Sequence, residues 1–175
     1  CLIMTGLMIN KILNYFDELI PNPKCELNYC SDFEFLIAVV LSAQTTDYKV
    51  NSVTKELFKY DINSLKIEEI NNIIKPIGMS LKKSYYVKGI AKYVSKYGIP
   101  KSKDELLKLD GVGNKTANLV LSTLYNEPYF AVDTHVTRVS KRLGLVSDNA
   151  GVLEIEKKMY ELIPKNLLNR SHHQF

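Results

Sequence analysis

"LDGVGNKTANLVL", residues 109–121, decides how this chain reads. Gly111 and Gly113 flank Val112, Lys115 follows directly, and an apolar helical run begins. Glycine lets the backbone adopt positive φ and removes side chains that would block a ligand. Just upstream, "SKDELLKL" offers Ser102 as a helix cap with Glu105 three residues on, a capping box. The pattern predicts a short helix, a tight turn and a second helix over about 114–125. Such a helical hairpin presents backbone amides and a helix N-terminus, which together suit an anion. A DNA phosphate fits that site without any base being read. Gly111 alone fits a plain helix stop equally well, so the surrounding sequence has to arbitrate.

Working outward, nearly everything reads helical. "MINKILNYFDELI" has apolar residues at helical spacing and ends at Pro21. Ser31 is placed to cap the almost wholly apolar "DFEFLIAVVLSA", a central buried helix. "QTTD" leads into the amphipathic "YKVNSVTKELF", and Ser64 is placed to cap a short helix through Ile74. After "KPIGMS", Ser80 is read as the cap of "LKKSYYVKGIAKYVSKY", with Gly98 as its stop. Val87, Ile90, Ala91 and Val94 form its inner face, with Lys82, Lys83, Lys88, Lys92 and Lys96 mostly outward. Asp133 is placed to cap "THVTRVSKRL", and a last helix ends at Pro164. No segment alternates as a strand does, so the expected class is all-α.

Charge is unevenly spread. Residues 1–81 carry a net −3, residues 116–175 a net +1, and residues 82–115 a net +6. The positive block ends at Lys115, which suits a polyanion, although a solvated lysine face reads the same way. No apolar run approaches the 18 or so residues of a membrane span. Cys1, Cys25 and Cys30 are too few and too irregular for a disulfide framework or a zinc site, so they read as plain thiols, and no metal ligand is assigned. The chain opens "CLIMTGLMIN", with Met4 and Met8 as alternative starts and without the basic flank of a signal peptide. It closes on "NRSHHQF" with no helix stop, so a fragment is expected.

Four motifs in order carry a resemblance: "LSAQTTD" at 41–47, "IGMSLKKS" at 77–84, "LDGVGNKTANLVL", and "FAVDTHVTRVSKRLGL" at 130–145, followed by "HH" at 172–173. From about residue 9 to its end the chain resembles the endonuclease III family, DNA base-excision glycosylases of the helix-hairpin-helix superfamily. The resemblance implies a two-lobed all-α fold with a cleft between the lobes. One lobe would be a helical barrel over 28–134; the other would join 9–27 to 135–175. Lys115 and Asp133 would face each other across that cleft.

By the same resemblance the hairpin residues Gly111, Val112 and Gly113 grip the DNA backbone, with Thr116 and His135 also at the DNA. Lys115 is implied as nucleophile and Asp133 as its catalytic partner, although an Asp in that position also reads as a plain N-cap. Gln44 and the Met79–Leu81 stretch are implied to fill the gap left by a flipped base. Met79 and Leu81 suit a wedge between bases, and Lys82 and Lys83 are placed to hold phosphates. The chemistry asks for such a pair. An amine captures the deoxyribose C1′, the resulting Schiff base acidifies the C2′ proton, and β-elimination of the 3′ phosphate follows.

The implied activity is a glycosylase with AP lyase activity on oxidised or ring-saturated pyrimidines in double-stranded DNA. A purine-directed (8-oxoguanine) lyase and a hairpin module that only binds DNA are the rivals. The resemblance further implies a [4Fe–4S] cluster in the full-length protein, held by four cysteines that are not in this chain. It implies a monomer, with no membrane partner, working in the cytoplasm at a bacterial nucleoid or in the nucleus or mitochondria of a eukaryote.

Overall fold

The computed structural model describes residues 2–175, with side chains from residue 6 onward; Cys1 lies outside the described residues. Ten α-helices run along the described residues: α1 (Leu2–Leu19), α2 (Asp32–Leu41), α3 (Asp47–Leu57), α4 (Ile67–Ile74), α5 (Ser80–Tyr97), α6 (Lys103–Leu106), α7 (Asn114–Tyr125), α8 (Thr134–Arg142), α9 (Val152–Leu162) and α10 (Leu168–Gln174). The described residues contain no strand, so the class is all-α as expected. The chain divides into two compact units, Glu26–Tyr125 and Cys1–Cys25 with Asn126–Phe175.

The Glu26–Tyr125 unit is built around α2. Ser31 caps it by accepting a hydrogen bond from the Glu34 amide, and every residue from Phe35 to Leu41 is buried. A helix apolar on all sides belongs at a core centre, and α2 packs there against α3, α5 and α7. Two helix starts differ from the expectation. Ser64 does not cap α4: its hydroxyl donates to Asp61 O in the preceding turn, and the Lys66 amide donates to Glu69 Oε2 one turn into α4 instead. Ser80 is not the cap of α5 but its first residue, preceded by Met79 in the left-handed region at φ 57°.

The other unit joins α1 to α8, α9 and α10. Ile9, Leu13, Phe130, Val136, Met159 and Phe175 are buried together. Helix α10 was not expected, because "NRSHHQF" has no apolar stripe of its own. Tertiary partners hold it instead. The Arg170 Nε and Gln174 Nε2 both donate to Asp17 Oδ1 on α1, at 2.7 and 2.8 Å. Phe175 packs edge-on against Phe16 with ring centroids 5.1 Å apart.

Candidate nucleic-acid interface and active site

The hairpin forms where the glycines demanded it. Ser102 Oγ accepts from the Glu105 amide at the start of α6. Leu106, Leu109 and Val112 turn inward and are buried, pinning the loop to the unit. Gly111 sits at φ +85°, and a Cβ there would lie 2.5 Å from the Tyr86 ring. Any other residue would suffer both backbone strain and a collision at that position. Gly113 differs: its φ is ordinary, it is exposed, and a Cβ would meet nothing within 4 Å. No protein packing explains its missing side chain. What a bare backbone offers there is close approach from outside.

The ladder of α7 begins with the Ala117 amide donating to Gly113 O. The amides before it belong to the first turn, which makes no intrahelical bonds. Lys115 is the second residue of α7 and is exposed. Thr116 is 8% exposed. At that exposure Thr116 offers little side-chain surface at the start of α7.

The "LSAQTT" turn carries Gln44, exposed and itself left-handed at φ 56°. Met79 and Leu81 are 51% and 57% exposed, so neither is a core residue. Lys82 is exposed, with its ammonium 5.8 Å from the Tyr86 ring centroid.

Lys83 does not hold a phosphate. It is 2% exposed. Its ammonium donates to Leu41 O at 2.8 Å, Ala43 O at 2.7 Å and Thr45 Oγ1 at 2.9 Å. An ammonium has three N–H donors, and these three acceptors use them. Burial also pushes its pKa below the ordinary lysine value. The signal was present in the sequence: position 83 lies four residues before Val87, on the inner stripe of α5. Lys88 likewise donates to the carbonyls of Ile62, Asn63 and Leu65 rather than facing out. Tyr86, the ring that makes Gly111 obligatory, carried no signal in the sequence, because the contact is tertiary.

In the other unit, Asp133 caps α8. Its Oδ1 accepts from the Val136 amide at 2.8 Å, and its backbone carbonyl accepts from the Thr137 hydroxyl at 2.7 Å. His172 pairs through Nδ1 with Ala131 O at 2.8 Å, two residues before Asp133. His173 beside it is pushed below the ordinary histidine pKa by burial, an effect opposed by the Asp133 charge. His135 is exposed on the first turn of α8, with Nδ1 3.0 Å from Arg138 Nη2.

Among the described residues, no three His, Cys, Asp or Glu side chains converge as metal ligands. Cys25 and Cys30 supply two thiols, where a [4Fe–4S] cluster is held by four cysteine thiolates. These residues do not fit the cluster, and no step below passes through one.

Residues 37–165 match the model of the HhH-GPD superfamily of base excision DNA repair proteins. The endonuclease III of Bacillus subtilis is 43% identical over 170 residues, which cover 93% of this chain and 78% of that protein. The chain belongs to the endonuclease III family. A solved structure of a trapped endonuclease III–DNA covalent intermediate, in an estranged-adenine complex, matches with TM-score 0.90 at 42% identity, covering 97% of this chain and 83% of that one. A non-covalent endonuclease III–DNA complex matches with TM-score 0.90 at 44% identity, over the same shares of the two chains. In this endonuclease III family member, no described helix is long and apolar enough to cross a membrane.

Proposed function

We propose that this chain is a DNA glycosylase with AP lyase activity in base excision repair, with Lys115 as its nucleophile. The observation that carries this reading is the hairpin. An exposed lysine stands on the first turn of α7, directly after a glycine turn fixed from behind by Tyr86 and bare in front at Gly113. Family membership supports the same reading.

The Lys115 amine attacks C1′ as the glycosidic bond breaks, and the base leaves with its electron pair and takes up a proton. The ring opens to a Schiff base, loss of the C2′ proton expels the 3′ phosphate, and water then hydrolyses the imine to restore the amine. An ordinary amine is almost wholly protonated at neutral pH, so the nucleophile must pass a proton to an acceptor as it attacks. Asp133 takes that role by its motif, while its Oδ1 also caps α8.

The hairpin amides and the block ending at Lys115 would bind the phosphates of double-stranded DNA, with His135 as a further contact. Gln44, Met79 and Leu81 would fill the gap left by the flipped base, which costs a few kcal/mol to extrude. Ring-saturated or oxidised pyrimidines are the proposed substrates. The [4Fe–4S] cluster implied for the full-length protein is assigned no role in these steps.

Borohydride trapping tests the assignment. Full-length protein should form a reducible adduct with abasic-site DNA, and Lys115→Ala should form none while keeping most of its affinity for the same duplex. Undiminished trapping by that variant overturns Lys115 as nucleophile. Duplexes bearing a ring-saturated thymine or an 8-oxoguanine then decide the substrate class, and faster excision of the purine would overturn the pyrimidine reading.

A further inference from the structure

Two exposed non-glycine residues in the Glu26–Tyr125 unit hold left-handed backbone, Gln44 at φ 56° and Met79 at φ 57°. L-residues adopt that region only when their surroundings impose it. One residue touches both places. The backbone amide of Lys83 donates to Met79 O at 2.9 Å. Its ammonium donates to Ala43 O and Thr45 Oγ1, the residues on either side of Gln44, and to Leu41 O at the end of α2. The last carbonyls of a helix have no intrahelical partner and carry partial negative charge, so a cation suits them. Lys83 thereby closes the "LSAQTT" turn onto the N-terminus of α5, two residues after Leu81.

We propose that Lys83 is a positioning residue that holds the Gln44 turn and the Met79–Leu81 loop at one fixed spacing, so that both enter the gap in the duplex together. This rests on the reading of Gln44, Met79 and Leu81 as gap-filling residues. Lys83 itself touches no DNA, because its three N–H donors are committed to protein acceptors. Its effect must therefore pass through the spacing between Gln44 and the Met79–Leu81 loop, and must show where a base has to be extruded from a pair rather than where the base is already gone.

The test uses full-length protein and single-turnover rates on two duplexes, one with a paired damaged base and one with a preformed abasic site. Gln44→Ala is the reference. Lys83→Met should slow excision of the paired base about tenfold more than it slows cleavage at the abasic site, since extrusion costs least where pairing is lost. Lys83→Arg should recover part of that loss. Thr45→Val removes one acceptor at nearly constant volume and should give the same bias at about two- to threefold, which carries the test if Lys83→Met folds poorly. In a Gln44→Ala background, Lys83→Met should add less than about twofold on the paired substrate, because coupled residues are not additive.

Equal losses on both duplexes for Lys83→Met and Thr45→Val would overturn the proposal and leave Lys83 a merely structural tie. So would multiplicative effects of Gln44→Ala and Lys83→Met. If Gln44→Ala itself slows both substrates equally, the gap-filling reading fails first and the proposal falls with it. That outcome is distinct from the one in which Gln44→Ala discriminates and Lys83→Met does not.

Discussion

Two lysines stand beside two tight turns in the same helical unit, and their surroundings are opposite. Lys115 is the second residue of α7, after the Gly111–Gly113 turn, and is exposed. Lys83 sits near the start of α5, is 2% exposed, and donates to two carbonyls and a hydroxyl of the "LSAQTT" turn. A nucleophile must reach a substrate atom. A cation buried among carbonyls can only hold them. What separates the two is the stripe of the helix each occupies, and the same division between parts that hold and parts that face outward runs through the rest of the site.

The sharpest way to break that division is to remove each lysine. Lys115→Ala should abolish borohydride trapping, yet change folding stability by no more than about 0.5 kcal/mol, as surface substitutions usually do. Lys83→Met should lose roughly 2 kcal/mol, because carbonyls that accepted from a charged donor are left without it. Urea unfolding of both variants beside the trapping assay checks this. A large stability loss at Lys115, or none at Lys83, would collapse the distinction.

The two glycines repeat the contrast at smaller scale. Gly111→Ala places a Cβ against the Tyr86 ring at φ +85°. Strain of that kind costs about 1–3 kcal/mol, and overpacking adds a similar amount. Gly113→Ala meets nothing within 4 Å and should cost about 1 kcal/mol or less. Its effect should appear in DNA affinity instead, since the added methyl stands where a phosphate would approach. Thermal melts and a salt-titrated binding curve separate the two, and equal melting losses would show that Gly113 also serves packing.

How far the sequence carried this reading follows from the range of each interaction. The caps of α6 at Ser102, α2 at Ser31 and α8 at Asp133 rest on contacts within four residues, and local pattern exposed them. Helix α10 rests on Asp17, more than 150 residues away, and no local pattern carries that. Lys83 is the instructive miss. Its spacing from Val87 and Ile90 puts it on the inner stripe of α5, while its charge reads as outward. The acceptors that overrule charge lie about 40 residues upstream.

Asp133 is half-buried and caps α8, and the proposed chemistry also asks its carboxylate to serve the nucleophile, so substitutions there should split the two. Asparagine caps helices as well as aspartate does, whereas alanine loses about 1 kcal/mol. Asp133→Asn should therefore keep stability within a few tenths of a kcal/mol of the parent while excision falls steeply. Asp133→Ala should lose both. If Asp133→Asn retained full excision, the carboxylate would be a cap only.

The smallest expected effect tests the surroundings of Asp133. Burial pushes His173 below its ordinary value of 6.5, against the opposing charge of Asp133, and its ring lies 4.7 Å from that of His172. Well above pH 6.5 the ring is neutral both folded and unfolded, so it contributes no pH dependence. As pH falls through that value the unfolded chain takes the proton first, and stability is lost until the folded pKa is reached. His173→Gln should thus flatten the decline in unfolding free energy between about pH 6.5 and lower pH, measured relative to each variant's own value at pH 8. Asp133→Asn keeps the cap but removes the charge that favours protonation of His173, so it should steepen the same decline and carry it to lower pH. An unchanged acid slope in both variants would mean that His173 does not feel Asp133, and that this carboxylate acts only along α8 and towards the DNA.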